Sequence, residues 1–415
     1  MKKLFTLLSL VLLLATSLTV SAQDDTLTFW TFEYAEAVDP FFDEYVEEWN
    51  ATHDLQVVRQ EFPWAQYTGE ILTTGIATGE APDVFFISPG DWRRYAESGL
   101  ALPLNDYIPD YLWEDILPAS WDAVTLNGNI YSIPFEMEPV ALWYNKTMFE
   151  EAGLEVPTTW DELMAAAEAL TTPERYGILL PMNPDYYENF IFYPFLWMAG
   201  GDIVNEDFTA SVANTPETAR ALNLWGDLVK NGYAAPTSTG SDPTDDRFPT
   251  GQAAMFVSGY WVYGWIKDNY PEFLEHLAVA PIPAPDEDSE LITVYGGWTV
   301  MVYSGTEHPD EAAEFAINMF GAEDNSRAAA WGMEYNTKLS PRASVIEDYA
   351  SFYEEFPHDV FANEIFPTAH AEPSYPPEIA QAVWEALQDV MFAGVSGEDA
   401  AAAMAEKIDA YLLTR

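Results

Sequence analysis

The run Leu27-Thr28-Phe29-Trp30-Thr31-Phe32 is rich in β-branched and aromatic residues and predicts a strand. Asp39-Pro40 then opens a helix, with Asp as the expected cap and Pro in the first turn. Phe42, Tyr45, Val46 and Trp49 fall on one face of that helix. Leu55 to Gln60 reads as the next strand. A helical stretch from Tyr67 is expected to stop near Gly79, because glycine accepts the left-handed cap. Pro82 leads into Asp83-Val84-Phe85-Phe86-Ile87, a short buried-strand pattern. Strand, helix, strand, helix, strand is the order of a mostly parallel sheet.

The same grammar continues along the chain. Thr159-Trp160-Asp161-Glu162 has the spacing of a capping box, and Leu163, Ala167 and Leu170 supply the apolar face behind it. Thr215-Pro216 opens another helix, with Leu222, Trp225, Leu228 and Val229 on one side and Gly232 as its stop. Pro309 opens a third, with Ala312, Phe315, Ala316 and Met319 facing inward. Pro377 to Leu413 reads as two helices broken near Gly394–Gly397. There is no internal repeat and no low-complexity linker. The Pro/acidic stretch Pro281 to Glu290 is the clear shift in composition, so it is a loop or hinge candidate.

The first residues depart from this pattern. Lys2 and Lys3 precede an apolar run from Leu4 to Ala15, and Val20-Ser21-Ala22 ends in small residues. These are the parts of a secretory signal peptide over residues 1–22, with cleavage expected after Ala22. The run is short for a membrane span and is broken by Thr6 and Ser9. The chain beyond Ala22 is too long for one simple core and suits two lobes. The sequence holds no cysteine. Disulfides, thiol nucleophiles and a lipidated cysteine are therefore not expected. With 49% hydrophobic and 15% aromatic residues, burial alone can hold such a chain together.

Charge changes the picture more. Lys and Arg number 16 against 68 Asp and Glu, a net charge of −52. That field disfavours nucleic acid, anionic membrane surfaces and anionic ligands. It reads first as a solubility or high-salt adaptation of the surface.

Catalytic motifs are missing. His53, His276, His308, His358 and His370 are scattered, with no metal-ligand spacing. No nucleophile elbow and no phosphate-binding glycine loop are present. No enzyme, metal or cofactor is expected. Glu136 and Glu138 in Pro134-Phe135-Glu136-Met137-Glu138-Pro139 are the carboxylate pair worth weighing. A glycosidase needs two carboxyls ~5–10 Å apart. Residues i and i+2 on a strand point the same way, ~7 Å apart. Acceptors for a ligand, solvated strand-end charges and acid/base catalysis all stay open, in that order.

The aromatic supply is the positive signal: 15 Trp, 23 Tyr and 24 Phe. Trp64, Trp92, Trp261 and Trp298 each follow turn residues rather than sitting in a periodic core face. A flat ring with a polar edge matches the C–H face and hydroxyl rim of a pyranose. Trp49, Trp160 and Trp225 lie on helix core faces and are read as core.

These segments, in order, resemble extracellular solute-binding proteins of family 1, the sugar-capturing receptors of ABC importers, which include maltose- and trehalose-binding proteins. Carrying the resemblance are Thr78-Gly79-Glu80-Ala81-Pro82-Asp83-Val84, Ala96 to Leu104, and Gly128 to Pro134 continuing through Tyr144-Asn145-Lys146. Val156 to Leu163, Phe248 to Met255 and Gly296-Gly297-Trp298 complete the set. The resemblance implies an α/β fold of the type II periplasmic binding protein class: two lobes, each a mostly parallel sheet flanked by helices, joined by a hinge. One lobe would be residues 23–137 plus 286–335, the other 138–285 plus 336–415. Ligand contacts carried over residue by residue are Ser88, with Asp91 and Trp92 close behind, then Glu136, Glu138, Gly297, Trp298 and Arg342. Glu33, Trp64, Tyr186, Trp197 and Trp261 join them as candidates. The family usually has an acidic or polar contact where Ser88 stands, so Asp91 is its possible substitute. The implied partners are a small carbohydrate, of oligosaccharide length, and the membrane permease of the transporter. A monomer outside the cytoplasmic membrane, without a lipid anchor, is expected. Two rivals remain: a secreted glycoside-active enzyme using Glu136 and Glu138, and the same fold holding a polyamine or other cation.

Overall fold

The computed structural model describes residues 26–34, 38–67, 71–78, 80–205, 207–236 and 244–414. The proposed signal peptide, residues 1–22, lies outside the described residues. None of the described helices is long and apolar enough to cross a membrane.

Thr26–Phe32 pairs in parallel with Gln56–Phe62 on one side and Val84–Ile87 on the other. Thr299–Val302 continues the sheet antiparallel to Val84–Ile87, and Ser132–Pro134 forms its last strand. Helix Asp39–Thr52 covers one face, burying Phe41, Phe42, Tyr45 and Trp49 against Leu27, Phe29 and Phe86. Helix Pro309–Gly321 adds Ala312, Phe315, Ala316 and Met319 to the same core.

A second, seven-stranded sheet is built around Glu138–Asn145. That strand runs antiparallel to Ala253–Gly259, beyond which Tyr176–Leu180 and Ala234–Pro236 follow in parallel. Its other edge takes Leu277–Ala280 along one half and Thr293–Gly296 along the other. Ala369–Ala371 adds a short parallel edge. Both faces of this sheet are covered, each by its own buried cluster.

This is the expected two-lobed α/β architecture, with one difference. Each sheet is mixed rather than mostly parallel. A parallel neighbour needs a crossover within the same sheet, whereas strands arriving from the other lobe enter without one.

Most helix starts are as the spacing predicts. The Thr159 hydroxyl accepts from the Glu162 amide at 3.3 Å, and the Glu162 carboxylate accepts from the Thr159 amide at 3.2 Å. Thr215 caps Pro216–Lys230 by accepting from the Thr218 amide at 3.1 Å. Asp39 does not act as a cap. The helix begins at Asp39 itself, and its carboxylate faces Arg59 at 3.4 Å. The stretch after Tyr67 is helical over Leu72–Thr78, while Gly79 lies outside the described residues. The tail forms Pro377–Gln388 and Gly397–Leu412, separated around Gly394.

Among the described residues, three segments cross between the lobes. The first runs from Pro134 to Glu138. The second is Gly297-Trp298, between strands of different sheets. The third follows Trp331, which is buried in the first lobe, and reaches Leu339, which is buried in the second. The second crossing therefore falls later than residue 286. Pro281 to Glu290 stays with the second lobe: Ile282 and Ala284 are buried in its core, exposure begins at Asp286, and Thr293–Gly296 still hydrogen-bonds within the second sheet. The crossings lie side by side: Gly296 pairs with Glu138, and the Met137 amide donates to the Leu339 carbonyl at 2.8 Å.

Candidate functional site

The interlobe floor is made where these crossings meet. Glu136 is 1% exposed and Glu138 is 5% exposed. Glu136 Oε1 accepts from the Trp298 amide at 3.1 Å, and Oε2 accepts from Trp331 Nε1 at 2.9 Å. Glu138 Oε1 pairs with Lys338 Nζ. One carboxylate thus ties the first crossing to the second, and the other ties it to the third. Burial pushes the Glu136 carboxyl up to about 7; the Lys338 charge pulls it down and the Glu138 charge pushes it up. Burial works against the Lys338 charge, but Glu138 and Glu136 together hold its pKa above the ordinary lysine value. Gly297 has φ +126° and no room for a side chain, since a Cβ there would collide with the Glu136 carbonyl. Every carboxylate oxygen of Glu136 already has a donor, and Glu138 holds a buried cation. Both carboxylates are thus engaged within the floor.

On the first-lobe side, Glu33 stands exposed just past the first strand, its amide donating to the Phe62 carbonyl at 2.8 Å. The Tyr34 ring packs on Phe32 at 4.3 Å and edge-on to Trp331 at 5.4 Å. Its hydroxyl is buried and finds no hydrogen-bond partner among the described residues. Burial, then the charges of Glu136 and Glu138, raise its pKa well above the usual tyrosine value. Trp298 is half-buried, with its ring 4.5 Å from Phe32. Trp64 is half-buried against the first core. Ser88 is half-buried, and its carbonyl accepts from the Asp91 and Trp92 amides. Asp91 meets Arg94 at 2.5 and 2.6 Å, and burial raises its pKa despite that partner.

On the second-lobe side, Tyr187, Phe190 and Trp261 form one ring cluster with centroids 6.1–6.5 Å apart. Two glycines seat it. The Trp261 ring lies over Gly259, and the Phe190 ring lies on Gly296, where a Cβ would be only 2.9 Å away. The Tyr187 hydroxyl and Ser258 Oγ are 3.0 Å apart. Tyr186 is 39% exposed and packs edge-on to Trp384 rather than joining this cluster. Trp197 is half-buried, stacked on Tyr193 at 5.5 Å and close to His370.

The family of bacterial extracellular solute-binding proteins matches residues 35–326. The chain belongs to that family. A maltotriose-binding protein of Pyrococcus abyssi is 30% identical to this solute-binding protein over 285 residues, 67% of this chain and 59% of the relative. An arabinooligosaccharide-binding protein of Halalkalibacterium halodurans is 25% identical over 301 residues, 70% of this chain and 66% of the relative. The matched stretch spans about three fifths of the first of these curated relatives. Solved structures align more fully. A Thermotoga lettingae solute-binding protein bound to α-D-tagatose superposes with TM-score 0.79 and 25% identity, covering 94% of this chain and all of the other. A cyclic α-maltosyl-1,6-maltose binding protein of Arthrobacter globiformis gives 0.78 and 27%, covering 94% and 99%.

Two candidate contacts in this solute-binding protein lie elsewhere. Trp92 is 4% exposed and sits in a core patch with Tyr95, Phe85 and Met301, facing Tyr131. Its position after a turn reflects a short helix, Trp92–Glu97, that starts by burying its first ring. Arg342 is 3% exposed; its Nε meets Asp115 at 2.6 Å, and its Nη1 donates to the Phe320 and Ala322 carbonyls at 3.0 and 2.8 Å. Asp115 is further held by the Ser344 amide and hydroxyl. That arrangement pins the third crossing to the first lobe. The cation at the floor is Lys338 instead, four residues earlier. Sequence reasoning misses it, along with Tyr34, Tyr187 and Phe190. A lysine inside Asn336-Thr337-Lys338-Leu339 is nonetheless a usable signal in a chain with only 16 cations. Among the described residues, no group of three or more His, Asp or Glu is placed to hold a metal ion.

Proposed function

We propose that this protein captures a carbohydrate in the cleft above the Glu136–Lys338–Glu138 floor and delivers it to the permease of an ABC importer. The observation that carries this reading is the disposition of rings around Gly296–Trp298. Trp298 and Tyr34 stand on the first-lobe side, and Tyr187, Phe190 and Trp261 on the second, with the buried polar floor between them. A pyranose presents apolar faces to such rings and hydroxyls to such acceptors. The Tyr34 hydroxyl, buried without a partner, is suited to a ligand hydroxyl. The sugars named for the Pyrococcus, Halalkalibacterium, Thermotoga and Arthrobacter proteins support the same ligand class.

Ser88, Asp91, Glu33, Trp64, Tyr186 and Trp197 are proposed as the outer contacts of that site. The chain is proposed to act as a monomer outside the cytoplasmic membrane after cleavage behind Ala22, and it offers no cysteine for a lipid. Calorimetric titration with mono- and oligosaccharides tests the ligand class, with a polyamine as the competing arm. Heat with a polyamine and none with any sugar sinks the carbohydrate reading. Turnover of chromogenic glycosides, lost in Glu138→Gln, sinks the transport reading.

A further inference from the structure

Away from the floor, the two lobes also meet through residues the ligand reading does not need. The short segment after Ala369–Ala371 is fixed to the second sheet, since the Glu372 amide donates to the Tyr295 carbonyl at 3.1 Å. It then reaches the first lobe. The Ser374 hydroxyl donates to the Gly90 carbonyl at 3.0 Å, and the Arg93 amide donates to Ser374 Oγ at 3.3 Å. The Gly90 amide donates to the Glu372 carboxyl. A Cβ at Gly90 would collide with Glu372 Oε1, so glycine leaves room for that carboxylate to seat on the Gly90 backbone. The Arg93 guanidinium sits 4.5 Å over the ring of Phe208, on the second lobe. These contacts join residues about 280 positions apart in sequence. They add to the crossings and to the packing of Leu117 and Ala123 against the second-lobe cluster.

We propose that Glu372 and Ser374, closing on Gly90 and Arg93, form a clasp that holds the lobes shut and that takes up a proton as it closes. It does not depend on which ligand fills the cleft.

The proton follows from where Glu372 sits when the clasp is shut. Glu372 as a whole is half-buried, but its carboxylate is packed on Gly90; burial of that end pushes the carboxyl up to about 8, the Asp91 charge adds to that, and the Gly90 amide opposes it. The groups around it compensate little. From the first lobe come Asp91, already paired with Arg94, and Arg93, engaged with Glu97. From the second come Tyr186, Tyr193 and Tyr375, with Glu378 acting on Tyr186 and Asp202 bonded to Tyr375. The cations of this group are Arg93 and Arg94, and both have carboxylates of their own. Opening returns Glu372 to water, where its pKa falls back to the ordinary 4.5. The shut form has the raised pKa, so shutting is favoured at low pH and weakens as pH rises from about 4.5 to about 8. One proton sets the limit: at most about tenfold in the closing constant per pH unit.

Small-angle scattering of the ligand-free mature chain reads this directly. It is done in about 1 M NaCl, where the screening length is ~3 Å and long-range repulsion is removed. The wild type is expected to show a radius of gyration that grows as pH rises between these limits and then levels. Glu372→Gln keeps the shape and removes the titration, so its radius is expected to stay flat. Ser374→Ala leaves the titration and weakens the clasp, so its radius is expected to be larger than wild type throughout and still pH-dependent. Near-ultraviolet dichroism checks that each variant is folded. A Glu372→Gln curve that follows the wild type overturns the proton claim. A Ser374→Ala radius equal to wild type at every pH overturns the clasp. Neither outcome bears on whether the ligand is a sugar.

Discussion

Lys338 and Glu138 form an ion pair in which both side chains are less than a tenth exposed, and the pair joins the first and third interlobe crossings. Its neighbour Glu136 leaves two carboxylates sharing one ammonium at the pivot between the lobes. A buried pair of this kind gives little net stability, but removing one partner is costly because the other charge is stranded.

Lys338→Met is therefore expected to destabilise the protein by about 3–5 kcal/mol at neutral pH. Urea unfolding at pH 7 and at pH 5 checks this. The loss should shrink at the lower pH, where Glu136, raised to about 7 by burial, is already protonated. An equal loss at both values contradicts the shared-charge picture.

Arg342→Met should act on stability and not on ligand affinity. It strands Asp115, whose carboxylate also takes the Ser344 amide at 2.7 Å. A fall in melting midpoint with an unchanged dissociation constant is the expected result. A large loss of affinity with stability intact returns Arg342 to the ligand site.

Arg342 marks where sequence stops being informative. Local grammar is legible: the Thr159 and Thr215 caps, the core faces at Trp49, Trp160 and Trp225, and the broken tail helix each depend on residues a few positions apart. Position 342 stands out by resemblance, yet its role depends on Asp115, 227 residues away, and on two carbonyls that no pattern announces. Trp92 misleads in the same way. A turn before a tryptophan does not say which way the ring folds. Tyr187 and Phe190 are hidden for the opposite reason. Helix Tyr186–Met198 is apolar nearly all round, so no face stands out as the one that meets Trp261 and Gly296. The second crossing is easily misplaced because a Pro/acidic loop looks like a hinge, while the actual crossing is two residues, Gly297-Trp298.

Glu188 carries a pH signature in the second core. It is fully buried, one oxygen accepts from Gln388 Nε2 at 2.7 Å, and burial pushes its carboxyl up to about 9. An acid with a raised folded pKa stabilises most below its unfolded value, and that stability drains away as pH climbs toward 9. The slope is at most about 1.4 kcal/mol per pH unit. Glu188→Gln should be more stable than wild type at pH 8 and no more stable at pH 4. Parallel stability curves for the two proteins rule the effect out.

The full sequence carries a net charge of −52, so self-repulsion should weaken the fold at low ionic strength. The melting midpoint is expected to rise with added NaCl toward the molar range. A flat response leaves the acidity without a role in stability.

The central claim is carbohydrate capture by the rings around Gly296–Trp298, and isothermal titration with a panel of oligosaccharides tests it most directly. The expected result is saturable binding of at least one sugar by wild type, weakened about fivefold or more in Trp261→Ala and in Trp298→Ala, with ~1–3 kcal/mol lost per stacked ring. Affinity that survives the loss of both rings contradicts it.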